Sequence, residues 1–332
     1  MPKPLLDIKN LMTQFTLKKS VLPAVKGISF TVEQGETVCI VGESGCGKSI
    51  TALSVMGLLP KNASIASGSI DFNGTELTKL SNEEMRKIRG NNISMIFQEP
   101  MTALNPVFSV GFQLREVLIN HMNISKREAH KRGIQLLKQV EISSPEKRMH
   151  QFPHELSGGM RQRVMIAMAL ACNPDLLIAD EPTTALDVTI QAQILELIQD
   201  LKEKFNMSVV LITHDMGVVA QVADRVIVMY AGEIIEEGDV ESIFNNPQHP
   251  YTEGLLQSVP HVDAETVTLE PIPGSLPNLN DKITGCAFHP RCKYVMEKCK
   301  KEKPSRFTMI PHHKTTCWLQ EVNRDDPKKV IN

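Results

Sequence analysis

Two glycine-rich segments hold most of the residues that could do chemistry in this 332-residue chain. The first, GESGCGKS at residues 42–49, fits the pattern G-x-x-x-x-G-K-[ST]. In that pattern backbone N–H groups cradle phosphates, the lysine contacts the β- and γ-phosphates, and the hydroxyl binds Mg²⁺. The second, LSGGMRQ at residues 156–162, is a glycine turn that leads into a helix, and helix N-termini attract anions. Both segments therefore predict contacts with phosphate.

The first segment is flanked by the elements that a phosphate-binding loop requires. Residues 36–41 are typical of a strand whose second part, Val38–Val41, is apolar, and residues 50–58 indicate a helix that Pro60 stops. A chance glycine turn would lack this order of strand, loop and helix. We therefore predict that Lys48 contacts the phosphates of a nucleotide and that Ser49 binds Mg²⁺.

Two adjacent carboxylates follow a second buried strand. Leu176–Ala179 is a short apolar run, and Asp180 and Glu181 come directly after it. Alone, the two acids would indicate a solvated turn. In a chain with a phosphate loop, Asp180 suits the Mg²⁺ shell through a water molecule, and Glu181 suits a general base that polarises the attacking water.

Three more polar residues stand at the ends of predicted elements. Gln98 follows the apolar run 93–97, where it could contact Mg²⁺ or the attacking water, or serve only as a turn residue. His214 follows the run 209–213, where it could hydrogen-bond a γ-phosphate or be purely structural. Asp187 is expected to cap the helix that follows it, a role that a functional contact does not exclude.

Strands that alternate with helices predict an α/β core. Asn73-Gly74 predicts a tight hairpin turn after the strand 68–72, and helical patterns cover residues 110–140 and 161–171. After about residue 250 prolines recur and the long apolar periodicity fades. We therefore expect a large α/β domain, a boundary near residue 250 and a smaller C-terminal region.

Taken together and in this order, these segments resemble the ATP-binding subunit of an ABC transporter over about residues 5–250. The matching motifs are the Walker A loop at Gly42–Ser49, the Q-loop residue Gln98, the signature at Leu156–Gln162, the Walker B strand at Leu177–Glu181, the D-loop residue Asp187 and the switch histidine His214. The resemblance implies an α/β fold, the P-loop NTPase type of ABC nucleotide-binding domain, over residues 1–250. That domain would have a mixed sheet core, an antiparallel β subdomain and a helical subdomain at about residues 99–170. Residues 251–332 would form a small C-terminal extension.

Three further segments are similar to those of the ATPase subunits of oligopeptide and dipeptide importers. They are the loop Gln98–Pro106, the sequence His249–Thr252 with Leu255 and Leu256, and the tail from Pro271 through the cysteines. The resemblance implies an ATP-hydrolysing motor subunit that couples ATP binding and hydrolysis to peptide uptake. Nickel importers share the tail, so an importer of nickel or another solute is an alternative. A soluble ABC ATPase without a transport role is another.

In this family two ATPase subunits face head to tail, and each nucleotide lies between the Walker loop of one subunit and the signature of the other. The resemblance implies that Glu181, His214 and Gln98 serve catalysis and that Ser49, Gln98 and Asp180 serve Mg²⁺. The implied nucleotide contacts are Gly42, Glu43, Ser44, Gly45, Cys46, Gly47, Lys48, Ser49, Ile50, Ser157, Gly158, Gly159, Gln162 and Asp187, with Ser157 and Gly159 serving the nucleotide that the partner mainly binds. Phe15 is the candidate for stacking on adenine, and its alternative role is that of a core residue of a strand.

Four of the seven cysteines crowd the C-terminal region in the spacing C-x5-C-x6-C-x17-C. They are Cys286, Cys292, Cys299 and Cys317. The spacing is neither that of common zinc ribbons nor that of ferredoxins, so iron–sulfur, zinc and unligated thiols all stay open. Some peptide-importer ATPases carry a 4Fe-4S cluster in this extension, and the resemblance implies such a cluster here, with a structural or redox-sensing role.

Composition limits the partners of the chain. Lys and Arg number 36 against 38 Asp and Glu, a balance without the basic footprint of nucleic-acid binding, so no nucleic-acid partner is expected. The apolar runs are short, whereas a spanning helix needs about 20 apolar residues. With no signal-like segment at its start, the chain is expected in the cytosol.

The resemblance also implies the rest of the assembly. We expect ATP and Mg²⁺ as cofactors, a second ABC ATPase subunit that makes a heterodimer, two transmembrane permease subunits and an extracytoplasmic substrate-binding protein. The subunit would lie peripherally at the cytoplasmic face of a bacterial cell membrane.

Overall fold

The computed structural model describes residues 3–17, 20–98, 103–184, 186–258 and 272–321. Residues 99–102 of the predicted loop Gln98–Pro106 lie outside this description, as does Pro271. The chain divides into two compact units. The first comprises Met1–Leu6, Val32–Glu36 and Asp71–Ile212, and the second comprises Asp7–Thr31, Thr37–Ile70 and Thr213–Asn332.

The described elements alternate between strand and helix along much of the chain. The strands are β1 (Leu6–Leu17), β2 (Ser20–Val32), β3 (Thr37–Val41), β4 (Ala63–Phe72), β5 (Thr75–Glu76), β6 (Ile93–Ile96), β7 (Leu176–Asp180), β8 (Ser208–Thr213), β9 (Arg225–Tyr230), β10 (Glu233–Asp239), β11 (Phe307–Ile310) and β12 (His313–Thr315). The helices are α1 (Lys48–Met56), α2 (Asn82–Ile88), α3 (Val110–Met122), α4 (Lys126–Gln139), α5 (Pro145–Arg148), α6 (Gly158–Ala169), α7 (Val188–Phe205), α8 (Met216–Val222), α9 (Val240–Asn245), α10 (Pro250–Gln257) and α11 (Glu297–Lys301). Short 3₁₀ turns lie at Leu77–Lys79, Pro153–Glu155 and His289–Arg291.

The first unit is built around three parallel strands in the order β8-β7-β6. Every residue of these strands is buried, which explains their continuous apolar sequence: a parallel strand covered on both faces has no exposed side to alternate with. The predicted strands at 93–97, 176–179 and 209–212 are confirmed, each to within one residue at its ends. Their carboxyl ends lead directly to the polar residues predicted to act on a nucleotide.

Helices α3 and α4 replace the single helical segment predicted for residues 110–140. Asn123 ends α3 in the left-handed conformation at φ 51, which asparagine tolerates better than most residues. Ser125 then caps α4 by accepting a hydrogen bond from the Glu128 N–H at 3.2 Å. The tight turn predicted at Asn73-Gly74 is confirmed, since it joins β4 to β5 with φ values of 46 and 88.

The second unit contains a mixed sheet in the order β11-β12-β10-β9-β3. Strands β3 and β9 are parallel, whereas β9, β10, β12 and β11 pair antiparallel. Strands β2, β1 and β4 lie side by side in a second sheet. Since β12 pairs with β10, the C-terminal tail extends the sheet of this unit. The domain boundary near residue 250 stays a prediction.

Within the described part of the chain, no helix has both the length and the apolar character that crossing a bilayer requires.

Candidate functional site

The phosphate loop lies in the second unit, between β3 and α1, in a backbone shape that only glycine can supply. Gly42 and Gly47 have φ values of 147 and 109. A Cβ at Gly42 would lie 2.2 Å from the Met229 carbonyl oxygen, and one at Gly47 would lie 2.8 Å from that of Ala24. These contacts are shorter than any side chain accepts, so the glycines of the motif are required by both conformation and space.

Lys48 extends its ammonium back over this loop. Its side chain is buried, and Nζ donates to the carbonyl oxygens of Gly42 at 2.7 Å and Glu43 at 3.0 Å. Among the described residues these are its oxygen partners, and neither carries a formal charge. A buried ammonium gains most from an anionic partner, so the position suits a phosphate.

The start of α1 adds a second feature that attracts anions. Gly47 precedes the helix in a left-handed conformation and has no side chain that could cap the first N–H groups. Ser44 and Gly45 form the exposed tip of the loop, while Ser49 and Ile50 are half-buried in the first turn. With the glycine backbone and Lys48, this helix end fits the phosphates of a nucleotide. The role of Ser49 toward Mg²⁺ stays a prediction.

Cys46 contributes to the loop through its backbone. Its side chain is fully buried, and its carbonyl oxygen accepts from the Gly232 N–H at 2.8 Å. Burial raises the pKa of the Cys46 thiol above its usual range, which keeps it protonated and unreactive at neutral pH.

Sequence reasoning missed two residues that hold the loop. The Oη of Tyr251 accepts from the Glu43 N–H at 2.8 Å, and Arg291 pairs with the Glu43 carboxylate at 2.6 and 2.9 Å. Tyr251 lies within a segment that the family resemblance singled out, although nothing local indicated this contact. No sequence signal pointed to Arg291, because it lies 248 positions from Glu43 in the chain.

A second group of predicted site residues lies in the first unit. Asp180 is buried at the carboxyl end of β7, and Glu181 follows it with a φ of 46, a left-handed conformation that is uncommon for glutamate. Oε2 of Glu181 accepts from Gln98 Nε2 at 3.0 Å and from Thr184 Oγ1 at 2.9 Å. The structure thus brings Gln98 and Glu181 together, and it adds Thr184, which sequence reasoning did not select.

The signature segment forms a capped helix start in the same unit. Ser157 is the N-cap of α6 and accepts from the Met160 N–H at 3.3 Å. Gly158 and Gly159 are half-buried in its first turn, and a Cβ at Gly159 would come within 3.0 Å of Ile190. Gln162 points inward instead. It is 1% exposed, and its Nε2 has no hydrogen-bond partner among the described residues.

The remaining predicted residues occupy three different places. Asp187 caps α7 by accepting from the Ile190 N–H at 2.9 Å, so the capping prediction is confirmed. His214 is exposed directly after β8, next to Asp215, the N-cap of α8. Phe15 is half-buried on β1, and its stacking on adenine stays a prediction.

The expected iron–sulfur cluster is wrong. All four cysteines of the C-terminal region are described as free thiols, and among the described residues no group of three or more His, Cys, Asp or Glu side chains could hold a metal ion. Burial raises the pKa of Cys286 to about 11 and that of Cys317 to about 12. These thiols are therefore protonated at neutral pH, and a metal would have to displace their protons to bind.

Two family models match the chain. The ABC transporter model matches residues 25–184, and the model of the oligopeptide/dipeptide transporter C-terminal region matches residues 235–299. The oligopeptide transport ATP-binding protein AppD of Bacillus subtilis (strain 168) is 54% identical over 318 residues, 96% of this chain and 97% of that protein. The dipeptide transport ATP-binding protein DppD of the same strain is 54% identical over 317 residues, 95% of each chain.

Solved structures of similar fold are ABC cassettes. The dimeric structure of MJ0796, described as a bacterial ABC transporter cassette, has a TM-score of 0.64 and 31% identity, and the match covers 71% of this chain and 98% of that one. A dimeric post-hydrolysis state of MJ0796 bound to ADP and Pi has a TM-score of 0.64 and 30% identity over the same shares.

Proposed function

The chain belongs to the family of oligopeptide and dipeptide ABC-transporter ATP-binding subunits, and we propose that it is the ATP-hydrolysing motor subunit of a peptide importer. Its fold is that of an ABC nucleotide-binding cassette with an added C-terminal region. The observation that carries the proposal is the 54% identity to AppD over 96% of the chain. That match includes the C-terminal region, which argues for the peptide transporter branch over a soluble ABC ATPase.

ATP binding is the first part of the proposed activity. The glycine backbone of residues 42–47 and the Lys48 ammonium would hold the phosphates, with Phe15 proposed to stack on adenine. Ser49, Gln98 and Asp180 offer the oxygen atoms that Mg²⁺ prefers. When bound, Mg²⁺ neutralises part of the negative charge on the phosphates.

Hydrolysis is assigned to Glu181. Its carboxylate would accept a proton from the attacking water, and the hydrogen bonds from Gln98 and Thr184 restrict its orientation. His214 is proposed to donate a hydrogen bond to the γ-phosphate. These roles come from the match of each position to the family motifs, and the local geometry is compatible with them.

The second ATPase subunit completes the proposed mechanism. Ser157, Gly158 and Gly159 would contact the nucleotide that the partner subunit mainly binds, through the N-terminus of α6. We propose a heterodimer of two ATPases at the cytoplasmic face of the membrane, two permease subunits and an extracytoplasmic substrate-binding protein. ATP binding would close the dimer, and hydrolysis would reopen it.

Reconstitution tests this function. The chain is co-expressed with permease, partner ATPase and binding-protein genes from its own organism, purified from membranes and placed in proteoliposomes. We expect short peptides with the binding protein to stimulate ATP hydrolysis, and Lys48→Ala to abolish the stimulated activity. Stimulation by Ni²⁺ but not by peptides would refute the substrate assignment. A failure to co-purify with any membrane subunit would refute the transport role.

A further inference from the structure

Arg291 stands out as a buried cation of the C-terminal region that the proposed mechanism leaves without a role. Its Nη1 and Nη2 donate to the two carboxylate oxygens of Glu43 at 2.6 and 2.9 Å, a bidentate pair. Its Nε donates to the Pro273 carbonyl oxygen at 2.7 Å. The paired carboxylate raises the pKa of Arg291 further above its usual value, so the guanidinium stays charged throughout the pH range of the protein.

Glu43, the second residue of the phosphate loop, is bonded through all three of its polar groups. The carboxylate pairs with Arg291, the N–H donates to Tyr251 Oη at 2.8 Å, and the carbonyl oxygen accepts from Lys48 Nζ at 3.0 Å. Two of these three partners lie beyond residue 249. The C-terminal part of the chain therefore restrains the position of Glu43.

A packed aromatic cluster keeps these partners in place. The rings of Tyr251 and Tyr230 meet edge to face with centroids 4.8 Å apart, and Phe288 lies 5.2 Å from Tyr230 and 5.5 Å from Tyr251. All three side chains are buried. Phe288 lies three residues before Arg291, so the same packing fixes both the tyrosine and the guanidinium that contact the loop.

We propose that Arg291 is a positioning residue for nucleotide binding: it fixes the phosphate loop through Glu43 and neutralises the charge of that carboxylate beside the phosphates. The C-terminal region then contributes to the nucleotide site through the contact of Arg291 with the phosphate loop. This inference rests on the proposed function, because it takes the loop to bind ATP.

Arg291 would affect ATP binding through its charge as well as through the position of the loop. Glu43 neighbours Ser44 and Gly45, the exposed tip of the loop that would face the phosphates. An unpaired carboxylate there would repel a polyanion, and salt would screen the repulsion. Loss of Arg291 should therefore weaken ATP binding most at low ionic strength. A purely structural residue would give a defect that salt does not relieve in this way.

The test compares Arg291→Ala, Glu43→Gln and the double variant with the wild-type chain. ATP affinity is measured with a fluorescent ATP analogue at low and high salt, and hydrolysis is measured to separate KM from kcat. We expect Arg291→Ala to raise Kd and KM by about tenfold or more, because it removes two charge-assisted hydrogen bonds that hold the loop. The kcat at saturating ATP should change little, because Arg291 contacts no reacting atom.

The double variant tests directly whether Arg291 acts by neutralising the Glu43 carboxylate. With Glu43→Gln the repulsive charge is absent, so adding Arg291→Ala should cost less ATP affinity than it costs in the wild-type chain. Lys293→Ala is the matched control, because Lys293 lies two residues away and pairs with Glu253 at 2.9 Å on the surface of the same region. We expect Lys293→Ala to leave ATP affinity and KM unchanged.

Different results would refute the role of Arg291 and the nucleotide site itself. Wild-type ATP affinity in Arg291→Ala, an affinity loss independent of salt, or fully additive effects would overturn the role of Arg291. If Arg291→Ala fails to fold, Arg291→Lys carries the test, since it keeps the charge but loses the bidentate pair and should show a geometric defect without the salt dependence. A wild-type chain that binds no ATP, or one whose affinity Lys48→Ala leaves unchanged, would instead refute the nucleotide site.

Discussion

Replacing Glu181 by glutamine isolates the proton-accepting role proposed for this carboxylate. Glutamine keeps the size of the side chain and one oxygen that can still accept from Gln98 Nε2 and Thr184 Oγ1, the donors now at 3.0 and 2.9 Å. Fold and ATP affinity should therefore be retained. An amide cannot take a proton from water, and loss of a general base slows turnover by about 10²- to 10⁴-fold. This corresponds to about 3–5 kcal/mol of activation free energy.

Thr184→Val provides the matched comparison. Valine keeps the branched shape but removes one of the two described hydrogen bonds to the carboxylate. A hydrogen bond contributes roughly 0.5–1.5 kcal/mol, and water can replace part of it because Thr184 is exposed. We therefore expect kcat to fall by about two- to fivefold.

The assay measures phosphate release at saturating ATP and the oligomeric state by size-exclusion chromatography with ATP present. Glu181→Gln should accumulate as an ATP-bound dimer with the partner ATPase, while Thr184→Val should still turn over and dissociate. Near-normal turnover of Glu181→Gln would refute the assignment of the base. A Thr184→Val protein as slow as Glu181→Gln would show that orientation by Thr184 matters as much as the carboxylate.

Three further outcomes can be measured. Gly42→Ala places a Cβ 2.2 Å from the Met229 carbonyl oxygen and should lower the free energy of unfolding by roughly 2–5 kcal/mol. Gly27→Ala, at φ 75 in open space, should cost only about 1–2 kcal/mol in urea unfolding, and the reverse order would contradict the steric argument. Burial lowers the pKa of His249 from 6.5 to about 3, so its contribution to stability is complete above pH 6.5 and is lost as pH falls. The free energy of unfolding should drop by about 1.4 kcal/mol between pH 7.5 and 5.5, and an equal slope in His249→Gln would exclude this residue as the cause. ATP turnover per subunit should rise with protein concentration, because Ser157 and Gly159 are proposed to serve the partner's nucleotide; robust turnover by a proven monomer would overturn that arrangement.

Contiguous motifs explain why so much of the candidate site could be predicted from sequence. The phosphate loop, the acidic pair after β7 and the Asp187 cap each depend on residues close together in the chain. Their local geometry follows from glycine conformations, helix ends and strand ends. The buried parallel strands were predictable for a related reason, since complete burial leaves an uninterrupted apolar run.

Other features required knowledge of which distant segments meet. The break between α3 and α4 was missed because one asparagine in a left-handed conformation outweighed the continuing helical pattern. The family resemblance implied a cluster at the four cysteines, but neither resemblance nor spacing determines whether thiols converge in an environment that favours thiolates. The inward orientation of Gln162 likewise depends on packing around α6 that the sequence does not display.

The sequence by itself determined that this chain carries a phosphate-loop motif, an acidic pair after a buried strand and the other motifs of an ABC ATPase, because each is encoded over a few adjacent residues. Only the tertiary structure decided how that loop is held. Arg291 and Tyr251 reach Glu43 across more than 200 positions of sequence. Such contacts arise from the path of the folded backbone and the packing of side chains, and no local propensity specifies them.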